Sequence, residues 1–158
     1  MLFRSINEIT KRNIIGFNEE WGIDIAWNTF EEYLEKLFNK GLSSNIAPLV
    51  PHGTIRLAAM GSAKREPTQK ELNHMKSLVS EAMSAGAIGI STGLEYSPGQ
   101  YANQKELISL TKVVEKYGGI YASHIRERGD NFEQSVKEAL NIIKYSGVPG
   151  ELSHLAPR

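Results

Sequence analysis

The sequence contains no cysteine, no excess of charge of either sign and no long apolar run. Without cysteine there is no disulfide, thiolate ligand or thiol nucleophile, and we therefore expect a cytoplasmic protein. The 18 basic and 18 acidic residues balance, so no net positive field attracts nucleic acid or an anionic membrane. No apolar stretch is long enough to span a bilayer. This composition predicts a globular protein that acts without nucleic acid or membrane.

Four stretches carry the start and stop signals of helices. Each start is a capping residue followed three positions later by Glu or Gln, and each stop is a glycine. The starts are Thr29 with Glu32, Thr68 with Glu71, Asn103 with Glu106 and a weaker pair, Asn131 with Gln134. The stops are Gly41, Gly86, Gly118 and Gly147.

Short apolar runs of strand length follow these helices: NIAPLV, AIGIS, GIYAS and GELSHL. Their composition is typical of strands buried on both faces, and their alternation with helices predicts a parallel sheet. The predicted fold is therefore α/β, with about four parallel strands alternating with helices. Residues 1–28 show no clear pattern and are predicted to be an irregular lead-in.

A closed eight-stranded barrel needs roughly 250 residues, which is more than the 158 of this chain. We therefore expect residues 1–158 to be a fragment of a larger α/β domain. The first and last strands of such a sheet would have unpaired edges, and self-association through these edges is expected.

Polar residues follow the predicted strands, where parallel α/β folds bind their ligands. In chain order they include His52, Tyr96, His124, Arg126, Arg128 and His154. His124 and His154 occupy matching places on successive strands, about 4.8 Å apart if the strands are neighbours. Two imidazoles so placed can share one metal ion. Alternatively, both histidines hydrogen-bond loop backbone.

The other rim residues allow more than one interpretation. Tyr96 is a candidate donor to a developing oxyanion, or an aromatic packed in its loop. The glycine-rich loop STGLEYSPG that contains it is either a tight connection or a phosphate cradle. Arg126 and Arg128 suit a substrate carboxylate, or they form a salt-bridge cluster with Glu127 and Asp130.

Four segments of the sequence resemble the N-acyl-D-amino-acid deacylase branch of the amidohydrolase superfamily. They are NIAPLVPHGTIRLAAMG, GAIGISTGLEYSPGQYA, GGIYASHIRERGD and ELSHL, in that order. The resemblance implies strands three to six of a TIM-type barrel, with His124 and His154 as ligands of Zn²⁺. It further implies that residues 1–158 form one partial TIM-type (β/α) barrel domain and that Tyr96 polarises the scissile carbonyl. Arg126, Arg128 and His52 are the predicted contacts of the substrate, a small N-acyl-D-amino acid.

The sequence also departs from that family. Three features of the family have no counterpart here. They are the HxH pair of the first barrel strand, the cysteine ligand of the second strand and the catalytic aspartate of the eighth strand. Ala156 stands where the family commonly has lysine, and Pro51 replaces a glycine. We therefore expect a segment of a metal-dependent hydrolase that is inactive as an isolated chain. The alternatives are a non-catalytic half-barrel remnant and a small α/β module that binds a phosphate-bearing ligand.

Overall fold

The computed structural model describes residues 27–157. The predicted lead-in of residues 1–28 therefore lies outside the described residues, except for its last two positions. The helices are α1 (Phe30–Lys40), α2 (His52–Met60), α3 (Gln69–Ser84), α4 (Gln104–Glu115) and α5 (Phe132–Ser146). The strands are β1 (Leu49–Pro51), β2 (Gly89–Gly93), β3 (Ile120–His124) and β4 (Gly150–Leu152).

The four strands form one parallel sheet in the order β1-β2-β3-β4. Gly93 of β2 is paired with His124 of β3, and Ser123 of β3 is paired with Leu152 of β4. Within residues 27–157 the sheet is open, since β1 and β4 each pair along one side only. The predicted α/β fold of four parallel strands alternating with helices is confirmed.

Local signals account for most helix ends. Thr29 and Thr68 start α1 and α3 with complete capping boxes, as predicted. Asn103 accepts the backbone N–H of Glu106, but the Glu106 side chain points into the interior and does not return to the cap. Gly147, with a φ of 81°, ends α5 in the left-handed conformation that glycine adopts without strain.

The helix start predicted at Asn131 is confirmed, but the predicted side-chain cap formed with Gln134 is absent. Asn131 has φ −99° and ψ 23°, not the extended backbone of the other caps, and its side chain caps no N–H. Its own backbone N–H donates instead to the carboxylate of Glu127, 3.0 Å away. A second glutamate oxygen accepts the N–H of Gly129, so Glu127 organises the start of α5.

Helix α2 was not predicted from the sequence. It begins directly after β1, and its N-cap residue, Pro51, has no side chain that can accept a hydrogen bond. The usual start signal is therefore absent. The buried side chains of α2 are His52, Ile55 and Arg56, so this helix carries two polar groups into the core.

The core lies between the sheet and the covering helices. Its strand residues include Val50, Ile90 and Tyr121, each at most 1% exposed, and α3 contributes to the same core a buried stripe of apolar side chains at helical spacing. Within residues 27–157, no helix combines the length and apolar character that crossing a membrane requires.

Candidate active site

His124 and His154 meet at the carboxyl-terminal edge of the sheet. His124 is the last residue of β3, and His154 lies two residues beyond the end of β4. The His124 Nδ1 and His154 Nε2 atoms are 2.5 Å apart, and the ring centroids are separated by 4.7 Å. The predicted placement of the two imidazoles at the ends of adjacent parallel strands is confirmed, and their binding of one metal ion stays a prediction.

The backbone at His154 is unusual and contributes to this geometry. Its φ of 38° is the only positive value at a non-glycine position among the described residues. A residue with a side chain adopts this left-handed region at a cost of roughly 1 to 3 kcal/mol, and such residues cluster at functional sites. The left-handed backbone of His154 in the turn after β4 therefore places its ring beside His124.

Glu95 completes the surroundings of His124, and sequence reasoning placed it at the rim without assigning it a role. Its Oε2 atom accepts a hydrogen bond from His124 Nε2 at 2.6 Å, and Arg128 approaches the same oxygen at 3.4 Å. The available signal was its position: Glu95 follows the second predicted strand, directly before Tyr96. Residues that follow two neighbouring parallel strands share one edge of the sheet, which brings Glu95 to His124.

Tyr96 lies next to His124 and is exposed to solvent. Its ring centroid is 5.1 Å from that of His124, and the residue is 57% exposed. The ring is therefore not packed inside its loop, which was the alternative interpretation. The hydroxyl belongs to an exposed side chain next to the histidines, where a substrate carbonyl could reach it.

The glycine-rich loop is a tight connection. A Cβ atom added to Gly99 would lie 2.6 Å from the carbonyl oxygen of Gly93, a contact that real Cβ atoms do not make. Glycine is thus required at this position for close packing of the loop against the end of β2. This explains the glycine without a phosphate ligand.

Arg126 is engaged by the protein itself. Its guanidinium forms a two-bond pair with Glu138, at 2.8 and 2.9 Å, and donates to the backbone carbonyls of Gln100 and Ala102. The salt-bridge partner is thus Glu138 and not Glu127 or Asp130. Arg126 ties the loop after β2 to α5, whereas Arg128 lies beside Glu95 at the histidine pair.

His52 is fully buried and lies below the rim. Its Nε2 is 2.8 Å from Glu106 Oε1, and the other carboxylate oxygen accepts from Arg56 at 2.5 Å. Burial raises the pKa of Glu106, but the hydrogen bond from His52 and the charges of His52 and Arg56 outweigh it, so the pKa lies below its ordinary value. The structure therefore places His52 inside the protein, away from the exposed position that substrate contact requires.

The histidine pair fits a metal ion chemically. Two nitrogens converge from neighbouring strand ends, and a carboxylate holds the far nitrogen of one ring, as is usual for histidine ligands of zinc. Among residues 27–157, no group of three or more His, Cys, Asp or Glu side chains could hold a metal. The described residues therefore offer two ligands.

Known proteins that are similar to this chain in sequence are deacylases of N-acyl-D-amino acids. D-aminoacylase of Alcaligenes xylosoxydans xylosoxydans is 38% identical over 133 residues, which are 84% of this chain and 28% of that protein. N-acyl-D-glutamate deacylase of the same organism is 43% identical over 110 residues, which are 70% of this chain and 22% of that protein. The chain thus spans about a quarter of the length of these curated relatives. No family model matches it.

Solved structures give the same result for the fold. A crystal structure of D-aminoacylase, described as defining a novel subset of amidohydrolases, matches with a TM-score of 0.77 and 38% identity over 79% of this chain. N-acyl-D-glutamate deacylase from Bordetella bronchiseptica, complexed with zinc and a phosphonate inhibitor, matches with a TM-score of 0.74 and 36% identity. These matches cover 26% of each solved chain.

The open parallel sheet and the comparisons show a chain that is similar in fold to about a quarter of D-aminoacylase, an amidohydrolase. Its homologues are D-aminoacylases and N-acyl-D-amino-acid deacylases, at 37 to 43% identity. The resemblance identified from the four sequence segments is confirmed.

Proposed function

We propose that this chain is a segment of a zinc-dependent hydrolase that cleaves the amide of N-acyl-D-amino acids to a carboxylate and a D-amino acid. The observation that carries the proposal is the convergence of His124 Nδ1 and His154 Nε2 at the edge of the sheet, beside an exposed Tyr96. The same substrate class is named in the relatives that share this segment.

Each rim residue has a part in the proposed reaction. His124 and His154 would hold the metal, which supplies an activated water for attack on the amide carbonyl. Tyr96 donates a hydrogen bond to the carbonyl oxygen as negative charge develops there. Arg128 lies beside Glu95 and has a buried Nε without a hydrogen-bond partner, which makes it the better placed of the two arginines to bind the substrate carboxylate.

The predicted substrate contacts of Arg126 and His52 stay predictions. The bonds that these two side chains make favour a supporting role, in which Arg126 anchors the loop that follows β2 and His52 pairs with Glu106 in the interior. A cytoplasmic location also stays a prediction, based on the cysteine-free composition, and cell fractionation tests it.

A transplant tests the proposed reaction. The aligned 133-residue segment of the Alcaligenes D-aminoacylase is replaced by the matching residues of this chain, which restores the parts of the barrel that the relatives contain. We expect the chimera to hydrolyse N-acetyl-D-amino acids, measured by release of the free amino acid, and to lose this activity on chelation.

The control is the same chimera carrying His124→Ala, which should fold but show no turnover. The isolated chain should also show none at a useful rate, since a catalytic zinc has about three protein ligands. A folded, zinc-loaded chimera without hydrolysis would support a non-catalytic half-barrel remnant instead. Clear turnover by the isolated chain, abolished by a chelator, would show that further ligands were missed or that copies of the chain complement each other.

We also propose that the chain associates with itself through the sheet edges. In the described sheet, β1 and β4 are the outer strands, which are the strands prone to pair with another chain, and Leu155, just beyond β4, is 47% exposed. Sedimentation velocity at low micromolar concentration should show dimers or larger species. A compact monomer with strongly protected β1 and β4 amides would contradict this expectation.

A further inference from the structure

We propose that Glu95 is a positioning residue for the metal site: it fixes the ring orientation and tautomer of His124 so that Nδ1 faces the metal. The inference rests on the proposed function for the metal itself. The hydrogen bond between Glu95 and His124 is a property of this chain alone and can be measured without metal.

The chemistry of the two groups sets the direction of the hydrogen bond. An ionised carboxylate only accepts, so His124 Nε2 must carry the proton in the 2.6 Å bond to Glu95 Oε2. In a neutral imidazole the other nitrogen then bears a lone pair. That nitrogen is His124 Nδ1, which faces His154 Nε2 at 2.5 Å. Glu95 thus leaves the acceptor lone pair on Nδ1, the nitrogen that contacts His154 and that a metal ion would need.

The position of Glu95 favours support over direct ligation. Its Oε2 lies on the Nε2 side of the His124 ring, whereas the convergence with His154 lies on the Nδ1 side. A carboxylate held on the far ring nitrogen raises the basicity of a histidine ligand and restricts its rotation. Glu95 therefore acts on the metal through His124.

Arg128 strengthens this arrangement. Its Nη2 atom is 3.4 Å from Oε2 of Glu95, and the Arg128 side chain is only 13% exposed. A guanidinium stays charged at any physiological pH, so it balances the carboxylate beside the histidines. Arg128 and His124 lie four positions apart in the sequence, and together they hold Glu95 from two directions.

The first test is made without metal, on the full chain. Long-range ¹H–¹⁵N NMR spectra report which ring nitrogen of a histidine is protonated, and the spectrum of His124→Ala assigns the His124 signals among the four histidines. We expect the Nε2–H tautomer to dominate at His124. Glu95→Gln should retain part of this preference, because its side-chain oxygen still accepts, and Glu95→Ala should lose it.

The second readout is zinc affinity, measured by titration of the same signals. Glu95→Ala should bind zinc about 10 to 100 times more weakly than the wild type, with Glu95→Gln in between. Glu133→Ala is the matched control, since Glu133 is 86% exposed and pairs only loosely with Lys137 in α5. Its tautomer populations and zinc affinity should be unchanged.

The outcomes separate the two proposals. Matching amide spectra would show that Glu95→Ala folds like the wild type. If His124 then has the same tautomer in both chains, Glu95 is not a positioning residue. If the wild-type chain binds no zinc, the proposed metal site fails, and the tautomer populations alone then decide the role of Glu95.

Discussion

Glu106→Gln is expected to lower the free energy of unfolding by about 3 to 5 kcal/mol, measured by urea denaturation. The Arg56 guanidinium is 0% exposed and its partner Glu106 is 1% exposed. The substitution keeps the shape of the side chain but removes its charge, which leaves a buried arginine without a counter-ion. Breaking one half of a buried pair is costly because the remaining charge cannot return to water.

The same carboxylate should make stability depend on acidity. The pKa of Glu106 is lower in the folded state than its ordinary value of 4.5. Its stabilising effect is therefore fully present above pH 4.5 and is lost as the pH falls through the lower folded-state pKa. The Glu106→Gln chain should lack this part of the acid dependence.

Glu115→Gln is the matched control, because Glu115 is exposed on the same helix, α4. Its effect should stay within about 0.5 kcal/mol. If both variants were equally stable, the buried network of His52, Arg56 and Glu106 would contribute nothing specific to folding.

Replacement of either rim histidine by alanine should abolish measurable zinc binding by the chain. The described residues supply two candidate ligands, His124 and His154, so each substitution leaves a single imidazole, which holds zinc too weakly to compete with water at micromolar concentrations. His74→Ala should have no effect, since His74 lies on the exposed side of α3. Calorimetric titration with zinc distinguishes these variants.

The sequence allowed the fold to be predicted where its signals are local. The boxes at Thr29 and Thr68, together with the alternating apolar runs, identified α1, α3 and the parallel sheet. The start of α2 could not be found in this way, because Pro51 provides no cap and the helix is held by burial of His52 and Arg56. Tertiary contacts, not local preference, determine this helix.

The part of the candidate site that could be predicted is the histidine pair, because it follows from the repeat of strand and helix. His124 and His154 occupy equivalent places in successive βα units, so their meeting follows from a parallel sheet. The partners of the other side chains depend on packing between distant segments. Glu106 reaches His52 across 54 positions of sequence, and no local pattern predicts that pair. Glu95 reaches His124 across 29 positions, and the strand repeat places it at the same edge of the sheet without identifying the hydrogen bond.

The central claim is that His124 and His154 bind one metal ion through Nδ1 and Nε2, respectively. The most direct measurement is the long-range ¹H–¹⁵N spectrum of the wild-type chain with and without one equivalent of zinc. The claim predicts that the resonances of these two nitrogens shift together to values typical of metal-bound imidazole, while His52 and His74 do not change. Zinc-induced shifts at other histidines, or none at His124 and His154, would contradict it.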